Sequence, residues 1–459
     1  MKVRNLIFLS IFFLSIFLST FIIDKYDKYE ISSDNKINHQ IIKADVLRFW
    51  KEAHDIKSEY ENGNSLSELG NWYFSSFLPS KTIAIYYTLI SEDLFIEKIE
   101  DNELLVKSEN KKIGFIYIQI IIFFCSTFYF YSVLRKKIGN SAFFVFIFLL
   151  IEPTIHQFNY SFHSESIFFS ITILLLSQLI KNSNHSLNGF FIGFLVGILY
   201  LQRSISIFYF IPILIYFFLE KKKIKYFISY FIGIALIIFL LGSHNYMRSG
   251  IFYFTPFQSK IDLYQYLIPN ILDKKEKSTS LRDMNEMSQK IVSFKKENNI
   301  DFQNEGDRLI YGNFVRKLSI QYLIDNSLLT FQVIFKKSLH ALNFNPFEIY
   351  SFYEYEYKPD DHKKRYYKSL EHQNLVKVRV FYSLIIYLVC LLGFFYMMKE
   401  RKLINFQILL ILSIAYYVAI GGWLGNPRYL STNLIFLSVF FIFGLSNLKK
   451  IATKLFYKK

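Results

Sequence analysis

The stretch IGFIYIQIIIFFCSTFYFYSVL (residues 113–134) holds 22 residues without a charge, and the basic cluster Arg135-Lys136-Lys137 follows it directly. At 1.5 Å per residue, a helix of this length spans about 33 Å, enough to cross the hydrocarbon core of a bilayer. In water, such a run would expose a large apolar patch. The stretch therefore predicts a transmembrane helix that ends in a basic cluster at the membrane surface.

The same pattern recurs along the chain, which has 459 residues, 52% of them hydrophobic and 19% aromatic. A membrane protein accounts for this composition because lipid solvates the apolar side chains that water would not. The sequence therefore predicts an all-α polytopic membrane protein with about ten transmembrane helices. The nine other apolar runs cover residues 5–23, 141–158, 164–180, 189–204, 206–219, 226–242, 379–398, 403–421 and 429–446.

Basic residues are concentrated between these runs, on one side of the predicted membrane. If Lys2 and Arg4 keep the N-terminus inside, the inner segments carry 18 Lys and Arg and only two acids, Glu220 and Glu400. This asymmetry is the positive-inside signature. It predicts an inner-membrane protein with both termini in the cytoplasm. The net charge of +16 comes largely from these clusters, so it does not indicate a nucleic-acid partner.

The topology divides the chain into five parts. Residues 1–23 are predicted to be a membrane anchor, because no A-x-A-like cleavage site follows them. Residues 24–112 and 243–378 are predicted outer soluble segments, α-helical or mixed, with 17 and 16 of the 37 acids. Residues 113–242 form a transmembrane bundle, and residues 379–459 form the last helices and a basic inner tail.

Two acids, Glu152 and Glu165, fall within the membrane region near the outer ends of the predicted third and fourth spans. Carboxylates within a membrane are costly and commonly functional. The alternative is a structural carboxylate that a hydroxyl or an arginine holds at the water interface. Both interpretations stay open for both residues.

Arginines at outer ends of spans depart from the positive-inside pattern. Arg203, Arg379 and Arg428 lie at such ends, and Arg248 follows the seventh span. They either snorkel to headgroups or form a cationic outer cleft for a phosphate, which the guanidinium fork binds well. Their recurrence favours the phosphate cleft.

Other residues give no sign of a cofactor or a structural metal. Cys125 and Cys390 lie in apolar runs, which indicates small apolar packing residues. Four outer histidines do not have the spacing of a zinc site: His39, His54, His156 and His163. We therefore expect no cofactor, although a catalytic divalent ion stays open.

Five short motifs follow one another along the outer face. The first is Asp45-Val-Leu-Arg-Phe49-Trp50-Lys-Glu-Ala53, in which Val46, Leu47, Phe49, Trp50 and Ala53 would form the apolar side of a short helix, either on the membrane interface or in a buried core. The others are Ser164-Glu165-Ser166, GILYLQRS ending at Arg203-Ser204, HNYMRSGIFYFTPFQSKIDLY from His244, and Asn426-Pro427-Arg428-Tyr429.

In order and placement, these motifs resemble the type C glycosyltransferases, which use lipid-phosphate sugars and include bacterial relatives of protein mannosyltransferases and lipid A aminoarabinose transferases. The proline that usually follows Arg-Tyr in this class is replaced by Leu430-Ser431-Thr432. The resemblance implies that Asp45 is the catalytic base, with Asp34 as the alternative, and that Glu165 is its partner. It also implies a set of substrate-binding residues: Arg203, Arg248, Arg428, Tyr429 and Asn245.

These observations predict transfer of a sugar from a polyprenyl phosphate to a lipid, glycan or protein acceptor on the outer face. The alternatives are an O-antigen-type polymerase or ligase, a lipid-linked glycan transporter or flippase, and a structural assembly protein. A transporter would favour broken helices and inverted repeats. Only Pro212 is clearly in the middle of a predicted span, and no internal repeat is evident.

Overall fold

The structure is a computed structural model, and it describes most of the chain from residue 112 onward. The described residues are 49, 52–54, 56–58, 61–62, 78–89, 97–98, 104–105, 112–160, 164–181, 185–302, 304–344, 370–424 and 427–456.

These residues are almost entirely helical. Two two-residue strands, β1 (Glu97–Lys98) and β2 (Leu104–Leu105), pair antiparallel with Glu97 opposite Leu105. The helices are α1 Leu78–Leu89, α2 Lys112–Ile138, α3 Ser141–Ile151, α4 Pro153–His156, α5 Glu165–Lys181, α6 Ser186–Gln202, α7 Phe210–Leu219, α8 Ile224–Ser249, α9 Gln258–Asp262, α10 Ile268–Leu272, α11 Lys277–Glu297, α12 Glu305–Asp325, α13 Ser327–Ala341, α14 Leu370–Met397, α15 Ile404–Gly421 and α16 Asn433–Phe456. Short 3-10 turns lie at Gln157–Tyr160, Ser204–Ser206, Arg401–Leu403, Gly422–Leu424 and Pro427–Leu430, and one π turn lies at Leu263–Leu267.

Helix α2 contains the stretch at 113–134 and ends after the basic cluster. Its last turn holds Arg135, Lys136 and Lys137, where cations interact favourably with the negative end of the helix dipole. Gly139 then adopts a left-handed conformation with φ of 64°, a common helix terminator. The sequence therefore specifies both the length of this helix and its end.

Glycines bring pairs of membrane helices into backbone contact. A Cβ atom at Gly193 of α6 would overlap the carbonyl oxygen of Tyr230 in α8. In the same way, a Cβ atom at Gly393 of α14 would overlap the carbonyl oxygen of Phe440 in α16. Small residues allow such close approach, which maximises van der Waals contact where lipid removes the hydrophobic drive.

The number of spans is lower in the structure than the predicted ten. Among the described residues, four helices are long and apolar enough to cross a membrane: Gly114–Ile138, Ile224–Met247, Lys377–Met397 and Arg401–Leu424. A bent pair, Ser141–Ile151 with Pro153–Asn159, would make a fifth. The apolar helices Ser186–Gln202, Ser204–Leu219 and Asn433–Leu448 are shorter.

Length explains part of this difference. The 17 residues of α6 extend about 26 Å, less than the hydrocarbon thickness of about 30 Å. The predicted span at 5–23 lies outside the described residues. Four to five candidate spans are thus observed, and ten remains a prediction.

The predicted span at 141–158 is not one straight helix. Pro153 begins α4 directly after Glu152, whose extended backbone (ψ of 115°) ends α3, and the two helices meet at 50°. Proline lacks the amide hydrogen and disfavours a helical residue before it. Pro212, the proline expected inside a span, lies in the first turn of α7, where it is tolerated.

The second predicted outer segment, expected to be helical or mixed, consists of helices joined by loops where the structure describes it. Helices α9 to α13 pack through small apolar clusters, and the rings of Phe294 and Phe314 stack at 3.9 Å between α11 and α12. We call these five the outer helices, after their predicted side of the membrane. Helix α13 lies against the turn at Gly422–Leu424, which follows α15, so the outer helices contact the end of this membrane helix.

Candidate active site

Glu165 is the first residue of α5, and its side chain is 0% exposed. Its Oε1 accepts a hydrogen bond from Arg203 Nη1 at 2.9 Å and another from Arg428 Nε. Its Oε2 accepts one from Arg428 Nη2 at 3.1 Å. Two arginines, 225 positions apart in the sequence, therefore meet on one buried carboxylate.

Arg203 reaches Glu165 because α6 ends there. Its backbone is extended, with φ of −149° and ψ of 121°, between α6 and the turn at Ser204–Ser206. The guanidinium lies 5.1 Å from the ring centroid of Tyr429 and 5.5 Å from that of Phe168. Aromatic faces at these distances stabilise a cation, so the buried charge has both an anionic and an aromatic environment.

Arg428 and Tyr429 lie in the tight turn at Pro427–Leu430, and the hydroxyl of Ser431 donates to the Arg428 carbonyl at 2.6 Å. A Cβ atom at Gly421 would come within 3.2 Å of the Tyr429 Cβ, and one at Gly422 within 2.5 Å of Ser338 Oγ. The two glycines therefore allow this turn and α13 to pack closely at the site.

The three charges of this cluster lie together in a buried place, where two guanidinium groups face one carboxylate. Taking charges out of water is expensive unless they are paired and hydrogen-bonded. Glu165 therefore holds two guanidinium groups side by side, an arrangement that suits an anion such as a phosphate.

A cavity of about 410 Å³ opens directly beside this cluster, within the usual size range of small-ligand sites. The membrane helices and their turns provide one wall and the outer helices the other. The polar and aromatic residues that line it are Ser164, Tyr200, Arg203, Ser204, Phe208, Trp423, Arg428 and Tyr429 on the membrane side, Phe49 of the first outer segment, and Thr255, Gln258, Ser259, Asp262, Tyr266 and Arg316 on the outer side.

The structure brings four of the predicted site residues together: Glu165, Arg203, Arg428 and Tyr429. Asn245 is buried elsewhere in α8, where its side-chain amide donates to the Tyr253 carbonyl at 2.7 Å, and it does not line the cavity. For Arg248, the structure describes only the backbone, near the end of α8. Both candidate bases, Asp45 and Asp34, lie outside the described residues.

The motif that carries Asp45 nevertheless reaches the cavity. Phe49 is buried and lines it, and Ala53 is fully buried one turn later. In the same helical segment, Glu52 accepts a hydrogen bond of 2.5 Å from Ser80 of α1. For these described residues, the core interpretation of the motif fits better than a free interfacial helix.

The outer wall contains residues that the sequence interpretation did not assign. Gln258, Ser259 and Asp262 belong to the motif that begins at His244, whereas Arg316 lies in a segment without a recognised motif. Because lysine greatly outnumbers arginine in this chain, an isolated arginine was the only sequence signal for Arg316.

No metal site is evident in the described part of the chain, where no three His, Cys, Asp or Glu side chains cluster as ligands would. Asp45 is not among those residues. Metal dependence therefore stays a question for experiment.

Comparison with known proteins supports the resemblance to the type C glycosyltransferases. The family described as dolichyl-phosphate-mannose-protein mannosyltransferase matches residues 105–245, less than a third of the chain. The matched part includes Glu165 and Arg203, so the resemblance is confirmed there. Together with the apolar helices, the match indicates a multi-pass membrane glycosyltransferase. No curated protein and no solved structure matches the chain.

Proposed function

We propose that this protein transfers a sugar from a polyprenyl phosphate to an acceptor on the outer face of the inner membrane. The observation that carries the proposal is the meeting of Arg203 and Arg428 on Glu165 beside a cavity at the ends of membrane helices. The family match over residues 105–245 supports the same class of reaction.

The charge at the site suits the donor. A polyprenyl-phosphate sugar is a phosphodiester with one negative charge, and the cluster presents the guanidinium groups of Arg203 and Arg428 beside one carboxylate. Phosphate oxygens can accept hydrogen bonds directly from guanidinium groups, with the bidentate geometry that arginine provides. The cavity then holds the sugar between this cluster and the outer helices.

Glu165 has a positioning role in this proposal. Both its oxygens already accept hydrogen bonds from arginine, so it is not free to take a proton from the acceptor. It fixes the two guanidinium groups in the orientation that the phosphate requires.

Asp45 is the proposed catalytic base. It lies four positions before Phe49, which lines the cavity, and four positions of chain extend at most about 14 Å. In the proposed step, Asp45 takes the acceptor's hydroxyl proton while the acceptor oxygen bonds to the sugar C1. The bond from C1 to the phosphate oxygen breaks, and its electron pair stays on the phosphate.

The test is carried out in a deletion strain complemented with variants, with mass spectrometry of envelope glycans as the readout. We expect Asp45→Asn to reduce transfer by about 10²–10⁴-fold, the usual cost of losing a general base. Asp34→Asn is the matched control in the same outer segment and should transfer normally. Wild-type transfer by Asp45→Asn with a dead Asp34→Asn would identify Asp34 as the base, and full transfer by both would contradict the proposed reaction.

The proposed side of the membrane has its own test. Reporter fusions at residues 60, 185, 300 and 455 should read outside, inside, outside and inside. The reason is the excess of basic residues in the assigned inner segments. An inside result at residue 300 would place the outer wall of the cavity on the wrong side.

One observation favours the transporter alternative. The break at Glu152–Pro153 gives a bent helix with a buried carboxylate, as in transporters that bind substrate at broken helices. Glu152 does not line the cavity, however. If the protein is a transporter, its deletion should cause unflipped glycolipid to accumulate. If it is a transferase, its deletion should leave the sugar attached to the lipid on the outer face.

A further inference from the structure

The outer wall of the cavity carries an arginine that has no counterpart in the motifs. Arg316 lies on α12 and lines the cavity opposite the Glu165 cluster. Within the described part of the chain it has neither a hydrogen bond nor an ion pair. Its solvent-exposed guanidinium is therefore available to a ligand in the cavity.

A second cation lies behind it. Lys260 of α9 is 8% exposed, and its Nζ donates to Asn313 Oδ1 at 2.5 Å. Burial, and to a smaller extent the charge of Arg316, lower the pKa of Lys260. The two cations therefore repel each other, and an anion bound at Arg316 would offset that repulsion.

Both walls of the cavity present arginine. The membrane wall has Arg203 and Arg428, both bonded to Glu165. On the outer wall, the described charged lining residues are Arg316 and Asp262, and Asp262 Oδ1 accepts a hydrogen bond from Gln258 at 2.6 Å. The cavity thus offers guanidinium groups from two walls.

We propose that Arg316 is a further catalytic residue, which stabilises the second negative charge that develops on the phosphate as the sugar leaves it. This inference rests on the proposed function. Before transfer the donor phosphodiester has one negative charge, for which the membrane wall offers the guanidinium groups of Arg203 and Arg428. When the bond from C1 to the phosphate oxygen breaks, the electron pair remains on that oxygen and the group becomes a phosphomonoester with a second charge.

Because the second charge develops only as the bond breaks, Arg316 interacts more strongly with the transition state than with the bound donor. An interaction accelerates a reaction only if it is stronger in the transition state than with the bound substrate. Preorganised cations aimed at the oxygen where charge develops have this property. Arg316 should therefore affect the turnover rate and the binding of the monoester product more than the binding of the donor.

The test compares Arg316→Gln with Lys317→Gln, an exposed neighbour on the same helix that does not line the cavity. Purified variants are assayed for transfer and for direct binding of polyprenyl monophosphate. We expect Arg316→Gln to lower kcat by at least about 10-fold, with the KM for the sugar donor changed less than about 3-fold. The fall in kcat should be smaller than the roughly 10²–10³-fold seen when a hydrogen-bond donor is removed from a site that excludes water. Lys317→Gln should behave as the wild type.

The second ionisation of the product gives a readout that a merely structural role would not move. A phosphomonoester gains its second charge near pH 6. Binding of polyprenyl monophosphate to the wild type should therefore strengthen as the pH rises through about 6, and this strengthening should be lost in Arg316→Gln.

Three results would overturn the inference: unchanged kcat, a rise in donor KM without a fall in kcat, or the same pH dependence of product binding in wild type and variant. Failure of the proposed function looks different. In that case the wild type transfers no sugar, and Asp45→Asn has no effect in cells.

Discussion

Glu152 and Glu165 are both acids of the membrane region, and both are almost completely buried, yet their surroundings differ. Glu152 lies at the break between α3 and α4, where it accepts hydrogen bonds from the Ile155 amide at 2.7 Å and from the Tyr382 hydroxyl. It therefore caps a helix and ties the break to α14. Its described hydrogen-bond partners are neutral groups, and the cavity lies elsewhere.

Glu165 instead has two cationic partners and a cavity beside them. A carboxylate held by neutral donors stabilises the fold, whereas one held by two arginines also orders guanidinium groups that a ligand in the cavity can bind. Burial alone therefore does not distinguish a structural acid from one at a functional site. The sign and number of its partners do.

The largest expected effect is at the cationic partners of Glu165. Arg428→Ala removes two of the hydrogen bonds to Glu165 and part of the proposed phosphate site. We expect sugar transfer to fall about 10²–10³-fold, as when an oxyanion donor is lost. Breaking a buried ion pair should also cost about 3–5 kcal/mol of stability, so folded protein must be quantified beside activity.

The conservative changes separate charge from geometry. Arg203→Lys and Arg428→Lys keep the charge but lose the planar fork that allows bidentate pairing. We expect both to weaken transfer in cells, by less than Arg428→Ala does. Full activity in both lysine variants would instead support the interpretation that these arginines snorkel to lipid headgroups.

The same substitution, glutamate to glutamine, compares the two acids directly. Glu165→Gln should release both arginines and lower transfer about 10-fold or more, because misplaced groups lose catalytic orientation. Glu152→Gln keeps a side-chain oxygen for its donors and should stay within about 3-fold of the wild type. Equal losses in the glycan assay would show that the two acids do not differ in role as their partners indicate.

A smaller effect is expected at the partner of Glu152. Tyr382→Phe removes the hydroxyl that donates to Glu152 Oε1 and leaves a buried acceptor without that donor. Such a loss costs about 1–3 kcal/mol. Thermal unfolding in detergent should show lower stability with transfer intact, and a normal unfolding temperature would contradict the structural role of Glu152.

The smallest effect concerns an ion pair outside the membrane. Lys275 Nζ donates to Asp283 Oδ2 at 2.6 Å, and this hydrogen bond lowers the pKa of Asp283. A lowered carboxyl pKa contributes stability above the unfolded value of about 3.9, and that stability is lost as the pH falls through the lower folded value. Lys275→Met should therefore cost about 0.2–1 kcal/mol at pH 7 and nothing once the pH is well below the folded pKa of Asp283. An equal loss at both pH values would show that packing, not charge, is responsible.

The sequence predicts the individual helices better than their continuity. The apolar run at 113–134 and its basic end define α2 as the structure has it, because both signals are local. The break at Glu152–Pro153 was missed, although proline was considered at Pro212. Whether a proline breaks a helix depends on its position in the first turn or beyond, and an apolar count does not contain that information.

The candidate site shows the same division. The resemblance selected Glu165, Arg203, Arg428 and Tyr429, and the structure brings these four together. Asn245 was selected with them but holds the Tyr253 backbone instead. Arg316 was not selected, because nothing in its neighbours along the chain marks it as part of a site.

By itself, the sequence determined that the chain enters a membrane, where several of its helices end, and which arginines depart from the positive-inside pattern. These properties depend on the length, charge and order of neighbouring residues. Only the tertiary structure decided that Arg203 and Arg428 share Glu165, that Glu152 caps a bent helix, and that Arg316 faces the cavity. Those facts depend on which helices pack together, and glycine contacts such as that of Gly422 with Ser338 set the packing between segments far apart in the chain.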